Sequence, residues 1–293
     1  MVSDYIETLI VGAGISGLMA GKVLSQAGIN NLVLEKSRGV GGRMATRDFK
    51  GGVFDHGAQF FTVRDGEFQK WVAGWQESDA VQEWFGHESE EAASNPGERH
   101  PRFIGTKGMA SVPKQVAKGL RIHKNTQVNS ISRADDLWVA HTNRGDDYHA
   151  MRMILSAPVP QSLSLLEAGG VSIPTYAYEA LLGIDYQPCI AMLVLLAGPS
   201  GIPSPGGKKF DDGDVQWLGD NSQKGISPDL SAVTIHASAD FSRKNFTMAP
   251  EEIAHLLIGA ASDWLGQEVL DWQIHKWRYS QPIATYKERF LEL

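Results

Sequence analysis

The sequence predicts an α/β fold, entered through a parallel βαβ unit at the N-terminus and followed by a second body. Three observations predict it. A glycine-punctuated turn, Gly12-Ala13-Gly14-Ile15-Ser16-Gly17, stands between an apolar strand pattern and a helix pattern. A β-rich stretch from 127 to 156 ends in another apolar strand. From Cys189 onward, strand patterns alternate with glycine- and proline-rich loops and one long amphipathic helix.

Each element has a local reason. Ile6 to Val11 is a short continuous apolar run, the pattern of a strand buried on both faces. Leu18 to Gln26 reads as a helix, with Leu18, Met19, Val23 and Leu24 as its apolar face and Gly28 as its stop. Asn31 to Glu35 is the second strand, and a right-handed crossover makes the pair parallel. Glu67 to Glu91, with Trp71, Trp75 and Trp84, predicts one or two amphipathic helices, and Ser89 to Arg102 a loop. Ser111 to Gly119 predicts a short helix. Gln127 to Arg133, Leu137 to Thr142 and Tyr148 to Ser156 predict a meander that returns to the first sheet through Met153-Ile154-Leu155. Pro158 to Ile173 leaves that sheet. Cys189 to Ala197, Val215 to Leu218, Ala232 to Ala237 and Trp272 to Tyr279 are strands of the second body, and Gly198 to Gly213 is a loop. Pro250 opens a helix, with Glu251 and Glu252 favourable to its dipole and apolar residues at helical spacing as far as Leu265.

Composition narrows the function. The chain has 293 residues and a formal charge of −7, which opposes nucleic-acid binding because that needs a basic face. Cys189 is the single cysteine, so no internal disulfide forms, as suits a cytoplasmic protein. No metal-ligand spacing occurs, and no apolar run reaches the length of a membrane span.

The chemistry starts at Gly12-x-Gly14-x-x-Gly17. The first glycine permits the tight turn, the second lets backbone approach a pyrophosphate, and the third lets helix and strand pack closely. The helix N-terminus adds free N–H groups and positive dipole, and Ser16 adds a hydroxyl. Glu35 stands 23 residues after Gly12, where a carboxylate accepts from both ribose hydroxyls and repels a 2′-phosphate. This is a Rossmann-type dinucleotide site. NAD and FAD both remain open at this point. The segment Lys36-Ser37-Arg38-Gly39-Val40-Gly41-Gly42-Arg43 favours FAD, because paired glycines admit a second backbone segment and Arg43 can meet pyrophosphate charge. Asp55-His56-Gly57-Ala58-Gln59-Phe60-Phe61-Thr62 then offers small residues and aromatic walls for a flat ring, or ordinary core aromatics beside a turn.

Glu35 to Arg43 followed by Asp55 to Thr62 resembles the renalase-like branch of the FAD-dependent amine oxidase superfamily. Gly108-Met109-Ala110-Ser111, Leu155-Ser156-Ala157-Pro158-Val159-Pro160-Gln161, Ile235-His236-Ala237-Ser238 and His275-Lys276-Trp277-Arg278-Tyr279-Ser280 extend the resemblance over nearly the whole chain. It implies a Rossmann-type FAD-binding domain interleaved with a smaller α+β substrate domain built on an antiparallel sheet. The implied division is 1–62, 100–160 and 280–293 for the first, and 63–99 and 161–279 for the second. Gly12, Gly14, Ser16, Gly17, Glu35, Lys36, Arg43, Gln59 and Phe60 would hold FAD, and the backbone of Val128 would meet the adenine. The implied reaction is oxidation of isomeric dihydronicotinamide dinucleotides to NAD(P)+, with O2 reoxidising the flavin to give H2O2. Such chains continue past Tyr286 into a strand, a Gly-Asp pair and a final helix, whereas this sequence ends at Leu293, which leaves FAD retention open.

Hydride loss from a dihydronicotinamide releases no proton, so no catalytic residue is assigned and a positioning site is expected. His236 can hydrogen-bond a carboxamide or sit satisfied in a sheet. Arg278 can bind a substrate phosphate or make a surface ion pair. Trp217 can stack on substrate or fill a core, and Cys189 reads as an inert buried thiol. The competing functions are a related flavin amine oxidase or desaturase, a non-catalytic dinucleotide-binding protein, and a simple NAD-dependent dehydrogenase.

Overall fold

The computed structural model describes residues 6–85 and 100–293. The chain forms two compact units. The first comprises Met1–Gly42, Pro113–Tyr186 and Pro282–Leu293, and the second Arg43–Val112 and Gln187–Gln281.

The first unit is built on β1 (Ile6–Val11), α1 (Ile15–Gln26) and β2 (Asn31–Leu34). Its sheet runs β8-β2-β1-β11-β10-β9, with β8 (Ile122–His123), β9 (Val128–Ala134), β10 (Leu137–Thr142) and β11 (Asp147–Leu155). The strands β8, β2, β1 and β11 are parallel, and β10 is antiparallel to both of its neighbours. The meander returns as expected: Met153, Ile154 and Leu155 pair in register with Leu9, Ile10 and Val11. Two faces of this sheet are covered, which is why β1 and β2 carry unbroken apolar runs. Ile10 and Val33 meet α1 at Gly21, where an added Cβ would lie 3.3 and 3.4 Å from their side chains. Leu9, Val11, Leu32 and Leu34 share a core with Ile131 and with Leu166 of α4 (Val159–Ala168). A further helix, α5 (Thr175–Leu182), follows.

The second unit holds a five-stranded sheet, β13-β14-β15-β12-β16. Its strands are β12 (Tyr186–Leu196), β13 (Gly207–Lys209), β14 (Val215–Asp220), β15 (Ala232–Ala237) and β16 (Val269–Pro282). Period-2 alternation gives the sheet two different faces. Ile190, Met192, Val194, Leu218, Val233 and Ile235 pack with α6 (Ala239–Asn245) and α7 (Pro250–Leu265) through Phe241, Ile253, Leu257 and Ala261. On the other face, Trp217 stands opposite His236 and Gly219 opposite Thr234. The unit is completed by the hairpin β3 (Thr46–Phe49) and β4 (Gly52–Asp55), and by a small sheet of β5 (Phe61–Thr62), β7 (Arg102–Gly105) and β6 (Val81–Phe85). Helix α2 (Gly66–Glu77) packs against β6, and α3 (Ser111–Val116) begins at the end of this segment and runs on into the first unit.

Several elements differ from expectation. Helix α2 begins at an Asp65 cap and stops at Glu77, and the following Val81–Phe85 is a strand, because it pairs antiparallel with β7. Trp84 therefore lies on a strand. The remainder of the predicted helical stretch, and most of the loop from Ser89 to Arg102, lie outside the described residues. The expected loop from Gly198 to Gly213 contains β13, and α6 follows β15 behind a Ser238 cap. The segment 43–62 falls in the second unit, where Asp55 is tied to Thr46, Met109, Asn221 and Lys224.

Candidate functional site

In the first unit the glycine turn has the geometry its spacing requires. Gly12 adopts φ +105° and donates its N–H to Leu34 at 2.8 Å. A Cβ on Gly17 would fall 2.1 Å from the Gly12 carbonyl oxygen, so only glycine lets the helix start this close to the turn. A Cβ on Gly14 would meet nothing within 4 Å, so the space before the helix is open. Gly14 is the N-cap, its helix start is uncapped by any side chain, and no acid stands in the first turn. The N–H groups and the exposed Ser16 hydroxyl are left for an anion.

The second glycine pair explains itself on the same turn. Gly41 donates to the Ala13 carbonyl at 2.9 Å, and a Cβ on Gly42 would lie 3.3 Å from Gly14 Cα. Two backbone segments thus touch at the phosphate end, as glycine alone permits. Glu35 is buried, with one oxygen accepting from Ala13 N–H at 2.7 Å and the other from Ser37 N–H at 2.8 Å. Each oxygen keeps a lone pair for a further donor. Thr126 donates its N–H to the Glu35 carbonyl, which brings the start of β9, with Val128, to the same end of the sheet. Lys36 is exposed beside them. An uncapped helix start, open space at Gly14 and a fixed carboxylate fit the adenosine diphosphate portion of a dinucleotide.

In the second unit the segment from Asp55 to Phe60 lies over the Trp217 and His236 face of the sheet. The His56 carbonyl accepts from Trp277 Nε1 at 2.8 Å and from His236 Nε2 at 3.2 Å. The His56 ring packs edge-on against His275, with centroids 4.8 Å apart. Burial, then the neighbouring His275, Arg47 and His236, push His56 down to about 3. Burial pushes His236 down to about 4, and burial with Arg47 lowers His275. All three imidazoles are neutral at pH 7. Among the described residues no group of three His, Cys, Asp or Glu is placed to hold a metal ion.

Asp55 and Lys224 form an ion pair at 2.9 Å with both side chains fully buried. Lys224 also donates to the Gln59 carbonyl at 2.9 Å and stands 5.2 Å over the Trp84 ring. Phe60, Trp84 and Trp217 cluster with centroids 5.6 to 6.3 Å apart, and the Arg102 guanidinium lies 4.5 Å over Phe60.

The expected site residues therefore fall in two sets. Gly12, Gly14, Ser16, Gly17, Glu35, Lys36 and Val128 gather in the first unit. Gln59, Phe60, Trp217 and His236 gather in the second. Arg43 is exposed, and its guanidinium donates to the Ser280 carbonyl at 2.9 Å. Arg278 is exposed and rests 5.3 Å over Phe246, away from these groups. Cys189 is buried, and burial raises its thiol to about 12. Sequence reasoning missed Lys224, Arg102 and His275. Lys224 and Arg102 sit in or beside irregular segments with no periodic signal, and His275 was visible only inside a quoted motif.

Comparison with known proteins agrees with these features. Residues 77–290 match the family described as flavin containing amine oxidoreductase, and residues 10–75 match an NAD(P)-binding Rossmann-like domain. A 62-residue segment is 47% identical to polyamine oxidase 7 of Oryza sativa subsp. japonica, covering 21% of this chain and 13% of that protein. The fold is similar to a protein from Exiguobacterium sp. 255-15 provisionally named a protoporphyrinogen oxidase, with TM-score 0.74 and 14% identity over 98% of this chain and 89% of the other. It is also similar to a triple mutant of putrescine oxidase (TM-score 0.68, 15% identity, 92% of this chain and 84% of the other). A fatty acid isomerase from P. acnes that produces CLA is a further match (TM-score 0.68, 14% identity, 95% and 87%).

Proposed function

The chain belongs to the flavin-containing amine oxidoreductase family and its cofactor is FAD, and from that premise we propose that it oxidises isomeric dihydronicotinamide dinucleotides to NAD(P)+. The N–H groups of residues 14–17 and Ser16 would hold the pyrophosphate of FAD, Glu35 its adenosine ribose and the Val128 backbone its adenine. Bound FAD supplies the two-electron acceptor, and dioxygen, reduced to hydrogen peroxide, takes the electrons on.

The observation that carries the substrate class is the charge around the polar-aromatic face of the second unit. Arg47 and Arg102 lie beside it, and the carboxylate buried there, Asp55, is paired with Lys224, so that pair adds no net charge of either sign. A polyamine carries several positive charges and would meet like charge in a medium that screens poorly. A dinucleotide carries negative pyrophosphate and meets the opposite sign. Neutral His56, His236 and His275 suit a donor that gives up hydride without a proton, since nothing there has to collect one.

The second reading, an amine oxidase, is favoured by the segment similar to polyamine oxidase 7. Anaerobic mixing decides between them. Bleaching of the yellow protein by a dihydronicotinamide isomer, and not by putrescine or spermine, is the expected result. Bleaching by the amines alone would replace this reading with the second, and a protein that stays colourless after FAD soaking would remove both.

A further inference from the structure

We propose that Ser132, His141 and Asp147 form a nucleophile relay on the first unit, with Ser132 as the hydroxyl that takes an acyl group from an uncharged, activated ester. This activity does not depend on the substrate class proposed above.

The three residues stand on three adjacent strands of one sheet. His141 of β10 pairs directly with Asp147 of β11, and Ser132 of β9 pairs with Val139, two residues before His141. Period-2 alternation therefore puts the three side chains on one face, opposite the face on which Ile131 and Ala140 join the core. His141 Nδ1 lies 2.8 Å from Asp147 Oδ1, and His141 Nε2 lies 2.8 Å from Ser132 Oγ. The chemistry of the partners fixes the protons. A carboxylate only accepts, so Nδ1 of the neutral ring carries the hydrogen. Nε2 is then the acceptor, and the Ser132 hydroxyl donates to it.

A serine hydroxyl bonded to an imidazole whose other nitrogen is held by a carboxylate is the arrangement of an activated nucleophile. Attack forms a bond from Ser132 Oγ to the acyl carbon, and departure of the alkoxide breaks the ester C–O bond. The hydroxyl proton passes to His141 Nε2 and then to the alkoxide, while Asp147 stabilises the imidazolium in between. No electrons are gained or lost. The relay is open to small reagents: the His141 and Asp147 side chains are 38% and 50% exposed, and Ser132 is half-buried. Water solvates the oxyanion at so open a site, so the rate gain is that of general base catalysis alone, about a hundredfold. Exposed Asp135, Asp136 and Asp146 lie in the turns at the two ends of β10, against Arg144, so an uncharged acyl donor is favoured over an anionic one.

The test is labelling of the FAD-loaded full chain with an uncharged alkyl fluorophosphonate, which leaves a stable adduct. A bond forms from Ser132 Oγ to phosphorus, the P–F bond breaks, fluoride leaves and the proton goes to His141. Peptide mass mapping locates and times the adducts. Ser132 is expected to label about a hundredfold faster than the other exposed serines of the chain. In His141→Gln its rate falls to theirs. In Asp147→Ala its rate falls about tenfold. Nitrogen NMR of histidine-labelled protein is expected to show neutral His141 protonated at Nδ1 in wild type and to lose that preference in Asp147→Ala. A purely structural aspartate would leave the tautomer unmoved. The relay is overturned if Ser132 labels no faster than the other serines, since the three residues are then only a hydrogen-bonded row on the sheet. It is also overturned if either variant keeps the wild-type rate, or if wild-type His141 carries its proton on Nε2. The wild-type rate and tautomer decide the proposal even if one variant folds poorly.

Discussion

Replacing Lys224 by Met should destabilise the second unit far more than removing an average side chain. The ammonium is fully buried, 2.9 Å from Asp55 Oδ2 and 2.9 Å from the Gln59 carbonyl. Met fills similar volume but leaves a buried carboxylate whose remaining donors, Thr46 Oγ1 at 2.6 Å and Met109 N–H at 2.7 Å, both serve Oδ1. Removing one partner of such a pair costs about 3–5 kcal/mol, most of it the penalty of the stranded charge. Asp55→Asn should cost about as much, because it strands the lysine. The double variant Asp55→Asn with Lys224→Met strands neither charge, and Asn keeps an acceptor for Thr46 and Met109. Its expected cost is about 1–3 kcal/mol, a loss of hydrogen bonds alone. The coupling between the two sites is then at least about 3 kcal/mol. Urea unfolding followed by tryptophan fluorescence reads this unit well, since Trp71, Trp75, Trp84, Trp217, Trp264, Trp272 and Trp277 lie in it and only Trp138 lies in the other. Losses that add to within about 0.5 kcal/mol in the double variant would show that the pair is not a coupled unit.

Gly17→Ala places a methyl 2.1 Å from the Gly12 carbonyl and 2.6 Å from Ser156 Oγ, so the turn must open. FAD affinity, read from flavin released on dilution and filtration, should fall at least about tenfold, and wild-type retention would show that the turn is not the phosphate site. Acid stability should reflect the histidine cluster. His56 titrates near 3 when folded and near 6.5 when unfolded, so the unfolded chain binds protons first. Its contribution is complete above pH 6.5, falls as the pH drops and levels off near 3. By pH 5 the loss from His56 is on the order of 2 kcal/mol. His56→Gln should flatten this limb in urea midpoints measured from pH 7.5 to 5, and an unchanged slope would refute the neutral cluster.

Parts of the fold were legible because they depend on local pattern. The β1–turn–α1–β2 run shows itself through an unbroken apolar strand, a glycine spacing and a helix period. The return of β11 beside β1 was legible because Met153, Ile154 and Leu155 repeat the buried-strand pattern of Leu9, Ile10 and Val11. The segment Val81–Phe85 was misread as helix because Trp71 and Trp75, four residues apart, fit one helical face and the acid-rich stretch runs on past them through Trp84. Its strand character comes from pairing with β7, a contact to residues some twenty positions away, which a local period does not carry. The same applies to β13, held in a glycine-rich segment by three pairs with β14.

The candidate site divides along the same line. The first-unit set was readable because every member acts through the backbone turn or through one strand end, both fixed by near neighbours in sequence. The second-unit set depends on a sheet whose strands are far apart in sequence. Trp217 and His236 share a face only because β14 and β15 pair with those two residues opposite each other, after a bulge between Val215 and Trp217 that shifts the register. Without that bulge the alternation would send one of the two side chains to the helix-covered face. Lys224 is harder still. It lies in the turn between β14 and β15, a position where lysine is ordinarily solvated, and only the third dimension places it against Asp55, 169 residues earlier. A buried lysine in an irregular connection is unfavourable unless its partners are in place. Its presence therefore marks the segment it secures, residues 55–60, as one whose position matters, and that segment carries Gln59 and the carbonyl of His56.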